Sequence, residues 1–305
     1  MRPRATGRLL PAHWVALLSV AGAPAMAQSG GEVVGLLPGS ARSAALGGAG
    51  AALVGDAGDI FANPAAIAAV RHLSVEGTYA RYLGGTTLSS GAVALRLGRL
   101  EWGAGIQALD FGSEPEMVGG TPTGNTFTAI DAVGVTGLAY RRGMMAIGVT
   151  GKYARQQFGS YSAGGWGADA GFALAVFDIF ALGASVQNIG GSGGSGIDLP
   201  RRVRAGFTMN YVDPEGTLRL LTTLEGQWPE GGSATLVTGV EGGVVAGGVG
   251  LLARAGYSGH SVGNAASHWS LGAGVALGHI SLDYAYQSFS QLGDQTHRVG
   301  LRWTP

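Results

Sequence analysis

The chain has 305 residues, no cysteine, a formal net charge of zero and a charged fraction of only 12%, about half the usual share. The lack of cysteine excludes disulfides and thiolate chemistry, and the balanced charge offers no basic surface for nucleic acid. Glycine accounts for 57 residues, well above the usual ~7%. So few charges would leave a soluble domain with a poor surface but suit a barrel whose outside faces lipid.

The first residues have the pattern of an export signal. Arg2, Arg4 and Arg8 precede an apolar run over residues 9–23, and Ala25-Met26-Ala27 fits the small-x-small rule for signal-peptidase cleavage. We therefore predict a signal peptide over residues 1–27 and a destination in the outer membrane of a Gram-negative cell. A cytoplasmic helix or an uncleaved anchor is the alternative, but the run is short for a membrane span.

Residues 39–70 lack strand alternation and are rich in small side chains. Asn63 followed by Pro64 predicts the start of a short helix, because asparagine favours the N-cap and proline the first helical position. Asp56 and Asp59 are close in sequence, and we expect them to cap backbone here rather than bind a cation. The chain has neither calcium-loop spacing nor an H-x-x-x-H pattern, so no metal site is predicted.

From about residue 73 onward the sequence repeats segments of alternating polarity, each near ten residues long. In residues 203–211, apolar side chains alternate with small or polar ones, so a strand here has one apolar face and one wet face. A soluble sandwich also alternates, but its strands average ~5–6 residues, whereas a tilted strand needs about 9–11 to cross a bilayer. Aromatic residues near the segment ends also suit membrane interfaces.

We count about fourteen such segments, and their connections alternate in length. Short turns are predicted at residues 98–99, 141–143, 177–178, 213–216, 246–248 and 278–279, and longer loops at residues 110–126, 190–199, 258–265 and 289–294. Outer-membrane barrels have short periplasmic turns and long outer loops. The prediction is therefore an all-β fold, a transmembrane antiparallel β-barrel of about fourteen strands with its short turns in the periplasm.

Charged residues of both signs fall on the face predicted to line the lumen. An internal ion-pair network that holds the wall to the segment before it is the favoured interpretation, and a polar conduit that selects what passes is the alternative. The predicted lumen-facing residues are Glu76, Arg96, Glu101, Lys152, Arg204, Arg219, Glu225, Glu241, Arg254, Asp283, Arg298 and Arg302.

Two motifs before the first strand resemble a known family. ALGGAG at residues 45–50 and DIFANPAAIA at residues 59–68 are similar to the N-terminal hatch of the FadL superfamily, and more specifically of PorV/PorQ-type outer-membrane proteins. QNIG at residues 187–190 and RAGY at 254–257 resemble the same family. The resemblance implies a hatch, or plug, over residues 28–70 inside a barrel of residues 71–305. Its motif residues are Gly47, Gly48, Gly50, Asp59, Phe61, Asn63, Pro64 and Ala65.

The sequence contains no nucleophile elbow and no phosphate-binding loop, so we predict a non-enzymatic role without a cofactor. FadL-like members pass hydrophobic small molecules, which is the function we predict first, and Ile60, Phe61 and Ile67 would then line the route. PorV-like members serve type IX secretion and bind secretion-system proteins and cargo. A sealed structural barrel is the third possibility, and in each case the outer-membrane lipid is a partner. The family has mixed functions, so membership alone does not choose among them.

Overall fold

The computed structural model describes residues 34–118, 121–176, 179–190, 197–213, 215–259, 268–289 and 294–305. The predicted signal peptide, the first residues of the predicted hatch, the turn at 177–178 and much of the loops predicted at 190–199, 258–265 and 289–294 lie outside the described residues. Across the described parts of the chain, no helix is long and apolar enough to cross a membrane.

Fourteen strands form one closed antiparallel barrel in which each strand pairs with its neighbours in sequence and β1 pairs with β14. This confirms the predicted fold class. The strands are β1 (Leu73–Arg81), β2 (Thr87–Leu97), β3 (Leu100–Val118), β4 (Thr121–Arg142), β5 (Met145–Phe158), β6 (Tyr161–Val176), β7 (Phe180–Ile189), β8 (Arg202–Val212), β9 (Leu218–Pro229), β10 (Thr235–Ala246), β11 (Val249–Ser258), β12 (Trp269–Leu277), β13 (Ile280–Phe289) and β14 (Asp294–Trp303).

The two faces of the wall differ as the alternation predicts. Along β1, Ser74 and Glu76 point inward and are buried, whereas Val75 and Tyr79 point outward and are exposed. The same pattern recurs around the barrel, so that large apolar side chains such as Leu271, Leu282 and Leu301 stand on the outside. An exterior of this composition is stable against lipid rather than water.

Tight turns join the strands at one end of the barrel, which we call the turn end. Gly98, Gly143, Gly248 and Gly278 adopt positive φ there, a backbone region that glycine enters without steric cost. The opposite end, which we call the loop end, carries the connection Tyr82–Thr86, the β3–β4 hairpin and the segment around Ile197 and Leu199. The turn-end connections that the structure describes are short, as the predicted alternation of connection lengths requires.

The loop predicted at residues 110–126 is wrong, because both strands continue through it. β3 and β4 stay paired as far as Val118 opposite Thr121, with register shifts between Asp110 and Ser113 and between Pro115 and Met117. Proline has no N–H to donate, yet it is tolerated where a strand bulges. The prolines that suggested a loop therefore sit in a strongly irregular hairpin, which extends β3 and β4 beyond the other strands.

Candidate functional site

Residues 34–70, which we call the N-terminal segment, form short helical turns fixed by their own side chains. Helix α1 (Ala41–Ala45) begins at Ser40, whose hydroxyl accepts a hydrogen bond from the N–H of Ser43 (3.0 Å). A 3-10 turn spans Pro64–Ala69, and Asn63 caps it by accepting from the N–H of Ala65 (3.0 Å). The helix start predicted at Asn63 and Pro64 is thus present, as a 3-10 turn.

The segment contacts inward-facing residues of strands on opposite sides of the barrel. Helix α1 packs against β11 to β14, whereas the Pro64–Ala69 turn packs against β3 to β6. Wall side chains bind its backbone: Glu225 accepts from the N–H groups of Gly50 and Ala51 (2.7 Å each), and Gln187 donates to the carbonyl of Phe61 (2.7 Å). The segment therefore lies within the barrel, and its backbone polar groups find partners in the wall.

Glycines on the inner face of the wall make room for the segment. A Cβ atom added to Gly148 would lie 2.5 Å from the carbonyl carbon of Pro64, and one added to Gly103 would lie 2.8 Å from the side chains of Ile60 and Ile67. Any larger residue at these positions would push the segment away. Part of the high glycine content therefore reflects an occupied lumen.

The predicted hatch residues make close contacts within this arrangement. Gly47 and Gly48 have positive φ, and Gly47 lies directly against the backbone of Tyr257. The amide of Asn63 donates to the carbonyls of Ala51 (2.7 Å) and Phe172 (3.0 Å), which ties the segment both to itself and to β6. The motif thus consists of residues whose size or hydrogen bonding fits the segment to the wall.

Ile60, Phe61 and Ile67, the residues expected to line a hydrophobic route, are buried in the apolar core between the segment and the wall. Their side chains face the wall at Gly103 and Gly105, and they border neither of the two cavities described below. In the arrangement seen here they pack against the barrel, so a route past them requires the segment to move.

An ion-pair network joins the segment to the wall, with Arg42 at its centre. Arg42 contacts Asp56 of the segment (2.9 Å) and Glu241 of β10 (3.0 Å). Glu241 also pairs with Arg254 (2.7 Å), which in turn reaches Asp283 (2.6 Å). All five side chains are largely buried. Removing one member would leave an uncompensated buried charge, which is far more costly than losing an exposed pair.

Burial and neighbouring charges shift the pKa values of the charged groups in the segment. Burial raises the pKa of Asp59 to about 7, and the nearby charge of Asp56 adds to the rise. Burial also acts to raise the pKa of Asp56, but the guanidinium groups of Arg302 and Arg42 outweigh it and hold that pKa below its usual value. Burial opposes the charge of Arg42, yet Glu241 and Asp56 raise its pKa above the usual value. Asp59 is therefore the group of the segment that titrates near neutral pH.

The structure places the remaining predicted lumen residues on the inner face as well. Arg204 pairs with Glu225 (2.6 Å), Lys152 with Asp169 (2.8 Å) and Arg96 with Glu101 (3.6 Å). Three further predicted residues contact the N-terminal segment: Glu76 accepts from the N–H of Gly58 (3.0 Å), Arg298 donates to the carbonyl of Pro38, and Arg302 pairs with Asp56. Arg219 lies 3.4 Å from Glu241, a member of the ion-pair network.

Two cavities open between the segment and the turn end. The first, of about 470 Å³, is lined by apolar residues of the segment, of β5 to β7 and of β9, by Thr208 and Asn210 of β8, and by five arginines. We call it the arginine-lined cavity. The second, of about 540 Å³, contains Asp56, Glu241, Arg254 and Arg302, and we call it the ion-pair cavity. Arg42, Arg71 and Arg219 border both. Sequence reasoning missed these spaces, because they depend on the path of the non-periodic segment.

Among the described residues, no group of three histidine or carboxylate side chains is placed to hold a metal ion. No family model matches the chain, and no curated protein matches it by sequence.

Solved structures share the fold. The toluene transporter TbuX of Ralstonia pickettii superposes with a TM-score of 0.57 at 15% identity, covering 88% of this chain and 99% of that one. The monoaromatic hydrocarbon channel CymD gives 0.61 at 13% identity, covering 88% and 97%. A FadL homologue from Pseudomonas aeruginosa gives 0.53 at 13% identity, covering 90% and 100%. At such identities the likeness establishes a shared architecture and not a shared activity.

Proposed function

We propose that this chain is an outer-membrane channel that passes hydrophobic small molecules towards the periplasm, with the N-terminal segment as its hatch. The observation that carries the proposal is the cavity pair beneath a segment that fills the lumen of a closed fourteen-stranded barrel. The apolar lining of the arginine-lined cavity, which includes Leu53, Val54, Phe180 and Leu221, suits such a passenger. The barrels that share this fold and are described as toluene or monoaromatic hydrocarbon transporters support the same function.

In this proposal residues 1–27 direct export and are removed, residues 28–70 form the hatch, and the turn end faces the periplasm. The hatch blocks free diffusion because its backbone is bonded to the wall on several sides. A hydrophobic molecule from the loop end must therefore shift part of the segment before it reaches the cavities. The Pro64–Ala69 turn, which borders the arginine-lined cavity with Ala65, Ala68 and Ala69, is the part we expect to move.

Uptake of a neutral fluorescent hydrophobe by intact cells tests this function. N-phenylnaphthylamine fluoresces when it reaches membrane lipid, and a Gram-negative host that makes this chain should take it up several times faster than a host that lacks it. Hydrolysis of a hydrophilic β-lactam by a periplasmic enzyme is the control for leakage and should stay unchanged. Equal uptake with and without the chain would refute the proposal, and so would a parallel rise for both compounds.

A secretion role of the PorV type is the second candidate, and the ALGGAG and DIFANPAAIA motifs are what favour it. It predicts a protein partner at the loop end and loss of secreted cargo in a deletion strain. If cargo secretion fails in that strain while uptake of N-phenylnaphthylamine is unchanged, the secretion role replaces the channel.

A further inference from the structure

Five arginines lie together at the turn end of β1 to β4, and we call them the arginine rim: Arg71, Arg96, Arg99, Arg141 and Arg142. Backbone pairing joins them: the N–H of Arg96 donates to the carbonyl of His72 (2.8 Å), and that of Arg141 to the carbonyl of Arg99 (3.0 Å). Glu101 lies 3.6 Å from Arg96 but is buried inside the barrel. Neither the β2–β3 turn nor the β4–β5 turn contains an acidic residue, so this edge of the barrel is positively charged.

The rim has an inner and an outer part. Arg71, Arg96 and Arg141 border the arginine-lined cavity. Arg99 and Arg142 are exposed and border neither cavity. Within the described parts of the chain, neither of these two has a carboxylate within 4.0 Å. Their guanidinium groups are therefore available to a ligand outside the barrel.

Apolar side chains lie next to the outer arginines on the outside of the wall. Arg142 has the same outward orientation as Tyr140, two residues earlier on β4, and it pairs in register with Met145 of β5. Leu100 of β3 pairs with Tyr140, and all three of these neighbours are exposed. Arg142 therefore stands where the apolar belt of the barrel ends, which is the level of the lipid headgroups. An arginine at this level keeps its stem on apolar surface and its charge among the headgroups.

From this arrangement we infer that Arg99 and Arg142 bind the phosphate of an anionic phospholipid in the leaflet that meets the turn end. Guanidinium groups form charge-assisted, often bidentate, hydrogen bonds with phosphate, and a group of arginines attracts anionic lipid to a membrane protein. The apolar side chains beside them favour a lipid over a soluble acidic protein, because they offer contacts to acyl chains. In the orientation proposed above this is the periplasmic leaflet. The site lies outside the barrel and does not depend on what passes through the lumen.

Trp102 provides a fluorescent reporter for this site. It is exposed on β3, two residues from Leu100 and with the same outward orientation. Lipids with dibrominated acyl chains quench tryptophan fluorescence on contact, so quenching measures which lipid occupies the adjacent surface. The mature chain is reconstituted into phosphatidylcholine bilayers with a rising share of brominated phosphatidylglycerol or, for comparison, of brominated phosphatidylcholine. To leave a single reporter, phenylalanine replaces Trp166, Trp228, Trp269 and Trp303.

We expect Trp102 to report a preference for phosphatidylglycerol over phosphatidylcholine of on the order of tenfold or more, because each arginine near a membrane surface contributes about fivefold. Arg99→Gln and Arg142→Gln should each lower the preference about fivefold, and the double variant should remove most of it. Arg142→Lys keeps the charge and should retain most of the preference. Added salt should weaken it, since the two charges are exposed.

Arg155→Gln is the matched control. Arg155 is also an exposed, outward-facing arginine, but it lies on β5 close to Phe158, at the loop end of that strand. Its removal should leave the lipid preference at Trp102 unchanged. A heat-modifiable gel shift verifies that each variant forms a barrel.

Equal quenching of Trp102 by the two lipids would overturn the inference, and so would an equal loss of preference in Arg142→Gln and Arg155→Gln. Binding of a polyglutamate peptide to the reconstituted chain covers the alternative occupant. If Arg142→Gln lowers peptide binding while no lipid preference is found, the outer arginines form a docking surface for a soluble acidic protein and the inference is wrong. The proposed channel is tested separately by uptake of N-phenylnaphthylamine, so the two can fail independently.

Discussion

Replacing Glu225 with glutamine should release part of the N-terminal segment without opening the wall. The Glu225 carboxylate is almost fully buried and serves two functions. One oxygen accepts from the guanidinium of Arg204 (2.6 Å) and from the side-chain amide of Gln227 (2.8 Å). The other accepts from the N–H groups of Gly50 and Ala51 (2.7 Å each). Glutamine has nearly the same shape, so the change removes charge and one acceptor rather than packing.

The size of the effect follows from these contacts. If the glutamine oxygen stays on Arg204, its NH₂ group faces two backbone donors, and each unsatisfied buried donor costs about 1–3 kcal/mol. If it turns to the backbone, Arg204 becomes an unpaired buried charge, which costs about 3–5 kcal/mol. Either orientation should favour local opening of the segment by about 3–5 kcal/mol. Because each 1.4 kcal/mol is a factor of ten, the equilibrium constant for opening should rise on the order of a hundredfold or more.

Hydrogen–deuterium exchange of the chain in nanodiscs measures this directly. The amides of Gly50 and Ala51 should exchange on the order of a hundred times faster in Glu225→Gln than in the wild type, while amides of β8 and β9 keep their protection. The control is Glu230→Gln, which removes a carboxylate from an exposed pair with Arg201 (2.9 Å), worth about 0–1 kcal/mol. Unchanged exchange in Glu225→Gln, or an equal change in both variants, would refute the account of how the segment is held.

Two further predictions concern the fit and the charge of the segment. Gly148→Ala should lower the melting temperature of the barrel in a heat-modifiability gel, because its Cβ would lie 2.5 Å from Pro64 and overpacking costs about 1–3 kcal/mol. Gly151→Ala on the same strand is the control and should change the melting temperature little, because no atom lies within 4 Å of its added Cβ. Equal shifts in the two variants would contradict the close fit of the segment against Gly148. The pKa of Asp59 is about 7 when the segment is packed in the barrel, against about 3.9 when it is unfolded. Between these pH values the packed segment binds a proton that the unfolded segment has lost. The stability of the packed segment should therefore fall as pH rises from about 4 to 7. Protease resistance of the segment should show this trend in the wild type and lose part of it in Asp59→Asn, and an identical pH profile in both would refute it.

The wall was predictable because its chemistry is periodic. Lipid outside and polar groups inside impose a period of two on every strand, which is why residues such as Glu241 and Arg254 could be assigned to the inner face from sequence. Hairpin ends follow a weaker signal. Pro115 and Pro122 suggested a loop, yet a register shift lets the β3–β4 hairpin absorb Pro115.

The site was less predictable because the N-terminal segment has no such period. Arg42 lies at the centre of the ion pairs, but nothing in its sequence surroundings distinguishes it from a surface arginine. Asp56 and Asp59 were expected to cap backbone, and Asp59 does accept a hydrogen bond from the N–H of Asp56 (3.0 Å). The pairing of Asp56 with Arg42 and Arg302 was not foreseen, because Arg302 is brought to it only by closure of the barrel. The cavities have the same origin, since their shape is the space left between an irregular segment and a regular wall.

The contacts between the segment and the last strands also bear on the order of assembly. Arg298 of β14 donates to the carbonyl of Pro38, 260 residues earlier in the chain, and Ser270 of β12 accepts from the N–H of Gly47 (3.0 Å). Contacts this distant in sequence form late, because loop closure must precede them. Helix α1 therefore lacks part of its contacts until β11 to β14 are in place, and the pairing of β1 with β14 closes the barrel around it. We therefore expect closure of the barrel and packing of its interior to depend on each other, so a defect on either side of that interface should stall a chain whose remaining strands have already paired.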